Sequence, residues 1–176
     1  MEKRVLRSDI KLFYGVGGSE SSSFVRMRGF TDASTSKNPI EYTAHYVDEP
    51  NETSAVTGYS PSTSFTFDRF VGNAVHDDIV EMLDNEVLGS DAERYLVKVD
   101  FSKPADKGGY HAVKRKVAVI GDSEGSGVES MQYSGNFKTA GTPIHGIAQI
   151  SAPSDGTPDN VESITFTEST ASNAEY

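Results

Sequence analysis

Several short stretches of this 176-residue chain carry residue types that elsewhere do chemistry. Gly121-Asp122-Ser123 has the opening of a serine-esterase motif, whose hydroxyl needs a downstream His, oriented by a carboxylate, to take its proton. Only His145 follows, with no acid-spacer-His pattern beside it, and a hairpin turn accounts for the three residues. Gly15-Val16-Gly17-Gly18 and the 121–127 loop have the glycine density of a phosphate cradle. Neither contains Gly-Lys-Ser/Thr and neither opens a helix, so both read as strand ends. His45, His76, His111 and His145 lie too far apart for a local metal pair. Asp77, Asp78 and Glu81 are close enough for paired acid–base work, but they sit on the polar side of a helical pattern, where solvated carboxylates are the rule. With Cys 0, thiol catalysis, disulfides and cysteine metal sites are excluded. The expectation is a protein that is not an enzyme, with no cofactor and no metal.

The elements that must position these residues are mostly strands. Residues 10–14, 24–30, 39–47, 64–70 and 94–101 alternate apolar and polar side chains. In 24–30, Val25 and Met27 share a face against Arg26 and Arg28; in 94–101, Tyr95, Val97, Val99 and Phe101 share a face against Leu96, Lys98 and Asp100. Residues 110–120 and 128–138 read as two long strands joined by the Gly/Asp/Ser connection at 121–127. Lys114-Arg115-Lys116 falls inside the first of them. Alternation puts Lys114 and Lys116 opposite Arg115, so the run is expected to guard a sheet edge or form salt bridges to a neighbouring acidic subunit, and to form no phosphate-binding patch.

One segment has a different period. Val75, Ile79, Met82, Leu83 and Val87 repeat at helical spacing over 73–88, with Asn73 placed to cap the start and Gly89 to end it. Val75, Ile79, Met82 and Leu83 form the stripe expected to pack on the sheet. Residues 48–52 are a polar loop or hairpin tip between strand-like runs. After Ile150, 151–158 reads as a linker, 161–167 supplies material for one more strand, and 168–176 reads as disordered. This divides the chain into a β domain, 1–150, and an acidic C-terminal extension, 151–176.

Charge agrees with that division. Lys+Arg 16 against Asp+Glu 26 gives −10. All basic residues lie between Lys3 and Lys138, while Asp155, Asp159, Glu162, Glu168 and Glu175 put half of the net charge into the tail. A chain so acidic lacks the cation excess that grips nucleic acid through its phosphates. No run approaches the ~18 apolar residues of a membrane-spanning helix, and the first residues, MEKRVLRSDIK, have no apolar signal-peptide core.

The order of features carries a resemblance. Arg26-Met27-Arg28-Gly29-Phe30-Thr31-Asp32 is followed by Ile40-Glu41-Tyr42-Thr43-Ala44-His45-Tyr46-Val47-Asp48-Glu49, then the 64–70 strand, the single helix, the 94–101 strand and the 110–138 hairpin. Over roughly residues 5–150 this resembles the major tail, or tail tube, proteins of long-tailed bacteriophages. The resemblance implies a mainly β fold, a β-sandwich or half-barrel with one flanking α-helix. Six copies would form a ring around an inter-subunit β-barrel, and rings would stack into a conduit for viral DNA. It also implies a virion component assembled in the bacterial host cytoplasm, with tape measure and tail terminator or tip proteins as partners, no membrane, and no specific DNA binding. A hairpin between early strands reaches the adjacent ring in that family. Here Asp48, Glu49, Pro50, Asn51, Glu52 and Thr53 are its counterpart. The alternative is a non-viral β-sandwich binding module for carbohydrate. It is weakened by Trp 0, since such modules present aromatic platforms.

Overall fold

Alternating apolar side chains over most of the chain fold into a sheet whose two faces bury two different cores. The computed structural model describes residues 2–18, 23–154 and 156–169. Its strands are β1 (Ile10–Tyr14), β2 (Ser23–Arg26), β3 (Phe30–Ser36), β4 (Pro39–Ala44), β5 (Thr53–Tyr59), β6 (Ser62–Asp68), β7 (Glu93–Pro104), β8 (Tyr110–Glu124), β9 (Gln132–Thr139), β10 (Ile144–Ala152) and β11 (Ser163–Glu168), with helix α1 (Ala74–Asp84) between β6 and β7. Nine strands form one sheet in the order β10-β11-β2-β1-β7-β8-β9-β6-β3, and β10 also pairs with β8. That extra pairing closes β10-β11-β2-β1-β7-β8 into a six-stranded barrel, within the mainly β fold with one flanking α-helix that the resemblance implies. Strand β8 makes both arrangements possible. Its first part, from Tyr110 to Lys114, pairs with β10; its distal part, from Val117 onward, pairs with β9. Strands β9, β6 and β3 thus leave the barrel as a wing.

The barrel interior holds Phe13, Phe24, Val97, Val99, Ala112, Ala148, Val161, Ile164 and Phe166. Lys114 also points inward, its Nζ 5.3 Å from the Tyr95 ring centre and 5.1 Å from that of Phe166. Ring faces offer an ammonium partial compensation for lost water. The second core lies between α1 and the opposite sheet face: Tyr14, Phe65, Phe67, Leu96, Val117, Val119, Tyr133 and Phe137 against Val75, Ile79, Val80 and Met82. Leu83 and Val87 are half-buried against it. Leu96, expected on a polar face, is buried because β7 runs between the two cores.

Helix α1 starts as its sequence dictates. The Asn73 side chain accepts from the backbone N–H groups of Val75 (3.1 Å) and His76 (3.3 Å). It ends before the expected Gly89. Glu86 takes a left-handed conformation (φ 48), and the N–H groups of Glu86 and Val87 close back on the carbonyls of Leu83 and Met82. A non-glycine residue in that position left no mark in the sequence.

Two further expectations are corrected. The 24–30 run is two strands, because Gly29 (φ 78) turns the chain between β2 and β3. A Cβ there would lie 2.9 Å from His76 and Phe70, so only glycine fits. Within β2, Phe24 is buried and Val25 faces outward. Second, no gap in the structure falls at residue 150. Strand β10 runs through to Ala152, and β11 pairs with both β10 and β2, so residues 163–168 are part of the barrel sheet. Val161 and Ile164 are fully buried. Alternation in 161–167 marks the strand, while its pairing with β2 and β10 is not readable from the local sequence. Residues 170–176 lie outside the described residues.

Candidate functional site

The wing, made of β3, β6, β9 and distal β8, has one face under α1 and one bare. On the bare face the register aligns Ser62, Ser64, Thr66 and Asp68 of β6 with Lys138, Asn136, Ser134 and Gln132 of β9. Asp32, Ser34 and Ser36 flank them from β3, and Ala118, Ile120 and Ser123 from β8. Hydroxyls and amides dominate, and they satisfy one another. Ser123 and Ser134 share a hydrogen bond of 2.7 Å, as do Ser34 and Ser64 at 3.0 Å. The Ser64 hydroxyl also reaches Asp32. Hydrogen bonds donated by Ser130 and Gln132 hold the Asp68 carboxyl below its ordinary range.

Both edges of this wing lack a strand neighbour among the described residues. Strand β3 pairs with β6 alone. Strand β8 pairs with β7 only up to Ala118, so 119–124 has β9 on one side and no strand on the other. Unpaired edges of this kind recruit another strand. The four strands alternate in direction, so distal β8 and β3 have the antiparallel polarity that pairing between two copies would need.

Strands β4 and β5 form a separate two-stranded arm that carries the polar tip. The arm continues the β3–β6 ribbon beyond a kink at Asn38 (φ 45). Asp48, Glu49, Pro50, Asn51, Glu52 and Thr53 come together at its end, all exposed. The Glu49 carbonyl lies 3.0 Å from His45 Nε2, and the Glu49 N–H donates to Tyr46 O. Behind the tip, Ile40, Tyr42, Val56 and Tyr59 are each more than half exposed. An isolated hairpin is marginal in water, and this one displays apolar side chains that no other described residue covers. Sequence analysis recognised the tip but not these side chains, since an alternating strand always offers one face to a presumed core.

The residues singled out for chemistry are dispersed. Ser123 pairs with Ser134 near the end of β8, whereas His145 stands opposite Val113. Positions 113 and 123 on one strand are roughly 30 Å apart, so no Ser–His couple forms. Among the described residues no cluster of three or more His, Cys, Asp or Glu is arranged to hold a metal ion, and no helix is long and apolar enough to cross a membrane. Asp78 is not on a solvated face, unlike its neighbour Asp77. It accepts from the Tyr14 hydroxyl (2.6 Å) and from Arg94 Nε (2.8 Å), clamping α1 to β1 and β7. Burial first, then the Asp78 carboxylate, pushes the Tyr14 hydroxyl far above its ordinary pKa. Within the basic run, Lys116 pairs with Glu93, Arg115 reaches Thr139, and Lys114 is inside the barrel. Of the stripe residues, Val75, Ile79 and Met82 are buried and Leu83 half-buried; Val80 and His76 join them.

This fold, a closed small barrel with a four-stranded wing, one α-helix and a projecting hairpin, is similar to that of two solved phage-tail-type structures. The chain superposes on the SPP1 tail tube subunit with a TM-score of 0.63 at 14% identity, covering 81% of this chain and 78% of that one. On the tail of a gene transfer agent particle with C6 symmetry it scores 0.55 at 15% identity, covering 78% and 96%. No protein-family profile matches the chain, and no curated protein matches it in sequence.

Proposed function

We propose that this chain is the structural subunit of a phage tail tube, assembling as hexameric rings that stack into a hollow conduit for viral DNA. The observation that carries the proposal is the wing: an antiparallel four-stranded sheet with two unpaired edges, one face sealed by α1 and the other polar and bare. Joining distal β8 of each copy to β3 of the next removes every such edge and yields a closed inter-subunit barrel. The bare face then lines the lumen. Its hydroxyls and amides, with Asp32 and Asp68 against Lys138, give DNA phosphates no cationic track to bind. The chain's acidity supports passage without adhesion, although most of the carboxylates lie away from this face.

The arm supplies the axial contact, its tip at 48–53 meeting the adjacent ring and its exposed Tyr42 and Tyr59 packing on neighbours. In this reading the protein belongs to the virion, and a tape measure and terminator or tip proteins bound the tube at its ends. The superposed tail proteins lend no support to carbohydrate binding. Electron microscopy of the purified protein over a concentration series tests the proposal. Six-fold rings or tubes are expected, and a protein that remains monomeric at every concentration overturns it.

A further inference from the structure

The two edges of the wing carry opposite decorations. Beside distal β8, a groove of about 870 Å3 runs between that strand and the C-terminal end of α1. Its apolar floor is Leu83, Val87 and Leu88, and its charged lining residues are Asp84, Glu86, Asp122 and Glu124, with no Lys or Arg. Beside β3 lies the N-terminal segment, with Lys3, Arg4 and Arg7 around Val5 and Leu6, which are 51% and 54% exposed. Among the described residues Lys3 and Arg4 have no ion-pair partner in their own copy. Arg7 Nη2 donates to the Ala33 carbonyl on β3, which anchors the segment to that edge.

Register then decides the level at which these features meet. Ala33 pairs with Phe65, Phe65 with Gly135, and Gly135 with Gly121. Arg7 and the Gly121-Asp122 rim of the groove therefore stand at the same height on opposite edges. Within one copy, three strand spacings, about 14 Å, and the α1 layer separate them. Between copies whose edges pair, the lateral gap would be a single strand spacing, offset along the strands by the stagger of barrel closure.

We propose that residues 3–7 of one copy seat in the acidic groove of the next copy around the ring. Val5 and Leu6 cover the apolar floor, and Lys3, Arg4 and Arg7 face Asp84, Glu86, Asp122 and Glu124. The contact latches the strand junction from outside and rests on the tube proposal. It makes the interface directional, because each edge rejects its own kind: cations meet cations at β3–β3, and acids meet acids at β8–β8.

The natural chain has Cys 0, so engineered thiols report unambiguously. Assembled V5C/L88C protein, oxidised and run on a non-reducing gel, is expected to give a reductant-sensitive ladder up to ring size, while each single variant stops at dimer. Adding K3E/R4E is expected to reduce the cross-linked fraction severalfold, and D122K/E124K on that background to restore it. Rings or tubes that form without the ladder overturn the groove contact and leave the tube reading standing. A chain that never assembles overturns both.

Discussion

His76 shows how much one side chain in this fold is asked to do. It is fully buried, its Nδ1 accepting from the Phe70 N–H (3.1 Å) and its Nε2–H donating to the Arg28 carbonyl (2.7 Å). Those bonds fix the neutral tautomer, stacked 4.3 Å from the Phe67 ring centre. Burial lowers its pKa from the ordinary 6.5. Below about pH 6.5 the unfolded chain therefore takes a proton that the folded chain refuses, and stability falls with pH down to the folded value. His76→Phe keeps the stack but orphans the Phe70 N–H, at a cost of about 2 kcal/mol near neutrality. The gap in urea midpoint between parent and variant should narrow as pH drops from 7 to 5.5. A constant gap would show that this imidazole does not resist protonation. Asp78 is the other residue whose loss should be felt throughout the fold. Asp78→Ala leaves the Arg94 guanidinium, a side chain only 10% exposed, without its carboxylate. The expected loss is about 3 kcal/mol, or roughly 6–12 °C in Tm for a domain of this size, read by thermal circular dichroism.

Among the elements, β11 separates what the sequence says from what it hides. Helix α1 was legible because five apolar residues at helical spacing and an Asn cap leave no other period. Strand β7 was legible through Tyr95, Val97, Val99 and Phe101. Strand β11 has the same alternation in Ile164 and Phe166, but its partners β2 and β10 are remote in sequence, and local pattern does not record a barrel closing. The bare face of the wing was hidden for a related reason. Alternation separates Ser64 from Phe65 without saying which side stays bare, and only the placement of α1 decides it. The β11 assignment has a direct consequence. Ending the chain after Ala152 removes Val161, Ile164 and Phe166 from the barrel interior, at roughly 2–3 kcal/mol each, which together approach the whole stability of an ordinary domain. The truncated chain should lose cooperative unfolding and expose β2 and β10 as sticky edges. A truncated protein that keeps its melting transition would mean that the barrel holds without β11.

At the scale of the whole molecule, the arm is the part that a single copy does not explain. Twenty-one residues, from Pro39 to Tyr59, project as a two-stranded ribbon paired with no other strand among the described residues. Their apolar side chains are displayed, and their tip is polar and acidic. In a tube each arm acts once per subunit, so a weak axial contact is multiplied around every ring. Replacing 45–52 with a two-residue Asn-Gly turn shortens the arm and spares β3, β6 and both cores, so the subunit should keep its circular dichroism spectrum and Tm. Rings should still close, because the β3 and β8 edges are untouched. Stacking should fail. Electron micrographs at matched concentration are expected to show single rings or very short stacks where the parent gives long tubes. Long tubes from the shortened chain would remove the tip from the axial contact. Loss of rings as well would place the arm in lateral closure instead. Adding Tyr42→Ser and Tyr59→Ser to the full-length arm separates the two surfaces: if the tip alone holds the next ring, tubes persist, and if the exposed ribbon holds it, they shorten as the deletion does.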